Sequence, residues 1–228
     1  MARELIWLRP APRAGVGRPA EWSRDQITAA AIAVAQADGL TAVSMRRVAA
    51  ELGAGASSLY RHLATRDDLL DLMVDHAFAE YEPVADTGDW RADVVAEFVR
   101  LLGFLRARPW LIDITTIRPA LGPEVIRFLE RTLGRMSAHP ASGATKMETY
   151  GVLTGLVQTH AQQERRGGVL DDDFVATQAA FLRHMAFDGD HPHLAAALSE
   201  SLISVEESLD DRFGRILALV LGALLPQS

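Results

Sequence analysis

Ser57, Ser58, Tyr60, Arg61 and His62 crowd five hydrogen-bonding side chains into six residues, interrupted only by Leu59, with Leu63 directly after. On a helix Leu59 and Leu63 share one face, so the hydroxyls, phenol, guanidinium and imidazole are left for solvent or a ligand. That set donates hydrogen bonds to an anionic or polar surface; it is not a catalytic set. The chain has no cysteine, which removes a thiol nucleophile, a disulfide framework and a cysteine zinc site. It also has no P-loop, no Gly-x-Ser-x-Gly and no Gly-x-Gly-x-x-Gly, so neither a common nucleotide enzyme nor an acyl-transfer enzyme is expected. His184, Asp188, Asp190, His191 and His193 gather within ten residues, but without regular ligand spacing on one helix. They read as a polar loop, and neither a metal nor a cofactor is expected.

The elements that must hold the polar set are two short helices. One is predicted from Ser44 to Leu52 and the next from Ser57 to Leu63, joined by a turn of a few residues. Helices so closely joined cross steeply, and Ala49 supplies the small residue that the crossing needs. Gly53 supplies the turn residue that tolerates positive φ. This is the pattern of a helix-turn-helix, whose second helix enters the DNA major groove. An ordinary helical corner with a polar face shares it.

The 228 residues carry 23 basic and 30 acidic side chains, a net charge of −7, which taken whole argues against nucleic acid. The charge is segregated, however. Residues 1–66 hold nine arginines against five acids, net +4, and the remainder is net −11. With 49% hydrophobic residues the chain is too apolar for disorder and long enough for a substantial core.

Neither a secretory leader nor a membrane span is predicted; the apolar run from Ile216 to Leu225 is about half of the ~20 residues that a span needs. A cytoplasmic protein without membrane association is expected. Residues 1–19, with Arg9, Pro10, Pro12, Arg13, Gly15, Gly17, Arg18 and Pro19, read as a flexible basic arm. Arg9, Arg13 and Arg18 could reach a minor groove. Beyond it the apolar period is 3.6 nearly throughout, so an all-α fold is expected. Ser23 caps a helix that ends near Asp38 and Gly39, and Asp67 and Asp68 open another that runs past Phe78. After a linker at 83–89, helices are predicted at 90–106, 110–116, 123–136, 146–165, 174–186 and 210–225, with a loop at 188–192. The run Asp171, Asp172 and Asp173 reads as a helix cap.

Several spaced features of residues 20–78 agree at once: Gly39-Leu40-Thr41, Arg46-Arg47-Val48-Ala49, Ser58-Leu59-Tyr60-Arg61-His62-Leu63 and Arg66-Asp67-Asp68-Leu69-Leu70. In these the chain resembles the TetR family of bacterial transcriptional regulators. A weaker likeness continues through Gly88-Asp89-Trp90, Arg108-Pro109-Trp110 and Asp211-Arg212-Phe213-Gly214, which look like the tetracycline-repressor-type regulatory domain. The resemblance implies a DNA-binding head at 20–66 and an effector-binding and dimerisation domain at 67–228. It implies that Arg46, Ser57 and Ser58 meet phosphate or base edges, that Tyr60, His62 and Arg66 meet phosphate, and that Arg61 reads guanine. Met45 could brush a thymine methyl or pack in the core. Ala56 stands where the tetracycline repressor has a polar base-reading residue, so the operator should differ.

One head binds a half-site weakly, so a dimer on double-stranded DNA with a palindromic operator is expected. By resemblance, the homodimer pairs the long helix that begins at Lys146 and ends at Arg165 with the terminal helix from Asp210 to Leu225. The terminal helix is apolar nearly all round, as a helix covered on both sides must be. Within the acidic body Phe98, Leu101, Trp110, Thr115, Arg118 and Tyr150 mix aromatic surface with a few polar groups, which suits a small hydrophobic or amphipathic effector. The function expected is a repressor released by its effector. An α-helical enzyme or small-molecule carrier with a structural head is the alternative.

Overall fold

Ser23 opens the first long helix through a reciprocal cap. Its Oγ accepts the Gln26 N–H at 3.1 Å, while Gln26 Oε1 accepts the Ser23 N–H at 2.9 Å. Helix α1 (Arg24–Asp38) then buries Ile27, Ala31 and Val34 and stops at Gly39, whose φ of +80° suits glycine. The computed structural model describes residues 5–9, 22–119, 121–167, 172–201 and 208–226. Arg13 and Arg18 of the expected arm, and Asp171 of the acidic run, lie outside the described residues.

Among the described residues all regular structure is helical, as expected. After α1 come α2 (Met45–Glu51), α3 (Ala56–Leu59), α4 (Arg66–Ala79), α5 (Trp90–Arg106), α6 (Pro109–Ile117), α7 (Pro123–Arg135), α8 (Gly143–Gly167), α9 (Asp172–Phe187), α10 (Pro192–Ser201) and α11 (Leu209–Leu224). Helix α10 occupies residues for which the sequence predicts no helix. Helix α5 is the axis of the body: α6, α7, α8 and α11 all pack on it. Its start is fixed by Asp89, whose Oδ1 accepts the N–H groups of Arg91 and Ala92. Across its far end Arg106 reaches Glu164 of α8 and Asp210 of α11, each at 2.6 Å, so one guanidinium ties three helices together.

Helix α4 packs both on α1 and on α6 and α7, so it belongs to head and body alike. One hydrophobic core runs continuously through both, from Ile27 and Leu59 to Phe98 and Leu217. Helix α11 buries Phe213, Leu217 and Leu221 and leaves Leu219 65% exposed, with Ile216 and Leu224 also exposed. Helix α8 buries Leu153 and Val157 and leaves Met147 and Val152 exposed. Each of these two helices therefore carries apolar side chains that the described residues do not cover.

The first described segment corrects part of the expected arm. Residues Ile6–Leu8 form a 3-10 turn, and Ile6, at 1% exposure, is part of the core. Arg9 follows, and its two Nη atoms grip the Asp68 carboxylate at 2.9 and 2.5 Å. Arg9 is thus bound within the chain instead of reaching a minor groove. The physical reason lies beside it: a large aliphatic side chain, buried, outweighs the flexibility that the nearby prolines and glycines suggest.

Candidate nucleic-acid interface and effector cavity

Ser44 starts α2 by accepting the Arg47 N–H at 3.1 Å, which places Met45, Val48 and Ala49 inward. Met45, at 6% exposure, packs in the core and is not available to a thymine methyl. The turn to α3 is closed by Ala54 donating to the Ala49 carbonyl at 2.8 Å, with Gly53 at φ +66°. Regular helix α3 is shorter than predicted, but Leu63 still donates to the Leu59 carbonyl at 3.0 Å, so the turn winds on to Leu63. Leu59 and Leu63 are buried and pin this segment to the head.

The polar set lies on the outer side. Ser57, Tyr60 and Arg61 are exposed, Ser58 and His62 half-buried, and Arg46 is exposed one helix earlier. Tyr60, at 55% exposure, projects its ring into solvent. Ser58 Oγ donates to the Gly55 carbonyl at 2.6 Å and keeps its lone pairs outward. Burial, then the charges of Arg61 and Arg24, hold His62 below the ordinary histidine value.

The arginines divide by use. Arg47 bonds Glu51 at 3.1 Å and Asp38 at 3.2 Å. Arg66 turns inward, where its Nε donates to the Val43 carbonyl at 2.8 Å and an Nη to the Leu40 carbonyl at 3.1 Å. Two donors of the exposed Arg66 therefore hold the loop that feeds α2. Arg46 and Arg61 form no hydrogen bond or ion pair with any described residue. Together with Arg24, whose charge acts on His62, they are the cations of this surface with donors still to be used.

Helix α4 begins directly behind that surface and is held from several directions. Thr65 and Asp68 cap it reciprocally, and the buried Asp68 carboxylate also accepts the N–H groups of Ala64 and Thr65 at 2.8 and 3.0 Å. Arg118, at the end of α6, pairs with Asp71 and stands 3.6 Å from the Asp67 carboxylate. One turn further on, Asp75 Oδ1 accepts the Glu124 N–H at 2.7 Å and so caps α7. Burial pushes the Asp75 carboxyl above its ordinary range, partly offset by that N–H. A Cβ on Gly122 would overlap the Asp75 carboxylate, so glycine is required by this approach. Asp67, Asp71 and Asp75, four residues apart, form one acidic row on α4 that faces the α6 and α7 ends.

Beside this row lies a cavity of about 170 Å³. Leu101, Thr115, Arg118 and Tyr150 line it, four of the six residues expected at an effector site. Phe98 does not; it is fully buried behind the wall, its ring centroid 6.1 Å from Phe128 and 6.2 Å from Tyr150. Trp110 does not either. It is buried where α6 meets α1, beside Ala29 and Ala33, and its indole N–H has no partner. Apolar periodicity identifies an inward face but not which of two interior surfaces that face meets. Phe78, Phe128, Thr154 and Gln158 also line the cavity and escaped the sequence reading. A signal for the last two existed: Tyr150, Thr154 and Gln158 repeat at four-residue spacing as a polar stripe on α8. The His184 to His193 region holds a local pair, His191 Nδ1 to Asp188 at 3.1 Å, in the turn before α10.

Two family models match the chain. Residues 27–73 match the bacterial regulatory proteins of the tetR family, and residues 82–226 match the tetracyclin repressor-like C-terminal domain. Among curated relatives, the HTH-type transcriptional repressor DrrR1 of Streptomyces coeruleorubidus is 35% identical, with 97% of this chain and 83% of that protein covered. Among solved structures, apo ActR from Streptomyces coelicolor superposes with a TM-score of 0.75 at 28% identity, covering 90% of this chain and 95% of that one. ActR in complex with actinorhodin matches equally well, with a TM-score of 0.75, 27% identity and the same coverage of each chain.

Proposed function

Because the chain belongs to the TetR family and is a DNA-binding transcriptional regulator, not an enzyme, we propose that it is a repressor that binds a palindromic operator as a homodimer and is released by a small-molecule effector. Residues 20–66 are the head and the remainder the effector and dimer domain. Arg46, Ser57, Ser58, Tyr60, Arg61 and His62 meet the DNA. Tyr60 and His62 contact phosphate, Ser57 and Ser58 donate to phosphate or base, and Arg61 reads a guanine edge. It works in the cytoplasm, where its operator is.

The observation that carries this reading is the division of the arginines. Arg47 and Arg66 are engaged inside the head, while Arg46 and Arg61 stand on the exposed side of the helix-turn-helix with no partner among the described residues. Unpaired guanidiniums on one face are what counterion release from phosphate needs. The apolar side chains of α8 and α11 that the described residues leave uncovered support the dimer, since each helix would otherwise expose leucine or valine to water. A solved relative that takes actinorhodin supports the cavity as the effector site.

Sedimentation of the free chain, and footprinting on DNA from upstream of its own gene, test the proposal. Expected are a dimer and two protected half-sites related by a two-fold axis, about one helical turn or a multiple apart. A monomer, or a single unpaired footprint, would overturn the dimer and the palindrome.

A further inference from the structure

Building on the reading of the cavity as the effector site, we infer that its ligand is an aromatic acid, and that the acid competes with Asp67 and Asp71 of α4 for the Arg118 guanidinium. Among the described residues Arg118 is the sole charged one that lines the cavity. No described carboxylate lines it, so a cationic ligand would face Arg118 without compensation. A wholly apolar ligand would strip water from the Arg118 guanidinium and return nothing to it. An acid answers that charge.

The opposite wall sets the rest of the ligand. Phe78 and Phe128 meet edge to face, with centroids 5.8 Å apart; Tyr150 lines the cavity beside them, and Phe98 packs edge-on behind Phe128 and Tyr150. This is a surface for a flat ring system. Burial raises the Tyr150 phenol above its ordinary value, so it stays a neutral donor toward an oxygen on the ring. The volume of about 170 Å³ admits a bicyclic core in the present conformation, below the ~300 Å³ at which drug-sized pockets begin.

The competition gives such a ligand a differential hold on two conformations. Arg118 donates to the Asp67 carbonyl at 3.2 Å and to the Asp71 carboxylate. Its Nε–H forms no hydrogen bond with any described residue and can donate to a ligand carboxylate. A carboxylate bound there weakens the grip of Arg118 on the first two turns of α4, the helix that starts directly behind Leu63. Only such differential affinity lets a ligand shift an equilibrium.

Matched probes test this on the full chain: 1-naphthaleneacetate and its neutral carboxamide, titrated by calorimetry against wild type, Arg118→Gln and Asp67→Asn. Wild type should bind the acid at least about tenfold more tightly than the amide, the effect of one good charge-assisted contact. R118Q should erase the difference while still binding the amide. D67N, at an exposed position, should tighten the acid about two- to fivefold and leave the amide unchanged, because it removes one competing charge. Equal binding of the two probes, preference for the amide, binding of neither at millimolar concentration, or an acid preference that survives R118Q would each overturn the inference. Retardation of the chain's own upstream DNA is measured alongside. Specific retardation without acid preference refutes the inference alone, whereas acid preference without specific retardation refutes the DNA reading and leaves the cavity assignment standing.

Discussion

Arg118, on the wall of the cavity, pairs with Asp71, which is 3% exposed on the helix that begins behind the recognition turn. The pair joins the cavity wall to α4 through two side chains, with Asp67 one turn earlier and Asp75 one turn later on the same row. Arg118→Ala and Asp71→Asn should each lower stability, by up to about 3 kcal/mol for loss of a partner from a buried ion pair. A double-mutant cycle by urea unfolding should give a coupling of about 1 to 3 kcal/mol. A coupling near zero would mean that the two residues do not communicate.

Arg61 and Arg66 lie five residues apart and should fail differently when truncated. Arg61→Ala should leave thermal stability unchanged and relax preference at one base pair by about 1 to 3 kcal/mol. Arg66→Ala removes the donors that hold Leu40 and Val43, so it should cost about 1 to 2 kcal/mol of stability and weaken all DNA sequences alike. Melting curves and binding to operator variants separate the two. Matching losses of stability in both variants would contradict the division of roles.

His62 gives the DNA complex a pH dependence of definite sign. Free His62 sits below its ordinary value and is largely neutral at pH 7. A phosphate beside it raises its affinity for a proton, so binding takes up protons and affinity should rise as pH falls from 8 to 6. His62→Gln should flatten that slope. An unchanged slope in the variant would remove His62 from the interface.

The N-terminal segment should behave as a brace. Ile6→Ala should cost about 2 to 4 kcal/mol, the range for truncating a fully buried aliphatic side chain. Arg9→Ala should lower the melting temperature while leaving the salt slope of DNA binding unaltered, because Arg9 is held by Asp68. A reduced slope would show that Arg9 reaches DNA after all.

Local signals in the sequence carried far, and their limits are physical. The cap at Ser23 and the long apolar periods placed α1 and α5 to within a residue, because caps and periodicity act over a few positions. The helix-turn-helix was legible for the same reason: Ala49, Gly53, Leu59 and Leu63 all act locally. What escaped was remote in sequence. The Arg9 to Asp68 pair spans 59 residues and the Arg66 hold on Val43 spans 23, and neither leaves a pattern along the chain. Trp110 and Phe98 stand outside the cavity wall, which five helices bound at once and which periodicity along one helix does not reveal. Helix α10, rich in alanine, lacked a continuous apolar stripe.

The most direct measurement is the salt dependence of binding to DNA from upstream of the gene, beside an unrelated duplex of equal length. The expected result is retention of the upstream duplex at salt concentrations that release the unrelated one, with log K falling against log salt by about 0.9 per phosphate contacted. Equal affinity for both duplexes at every salt concentration would contradict the assignment of this chain as an operator-binding regulator.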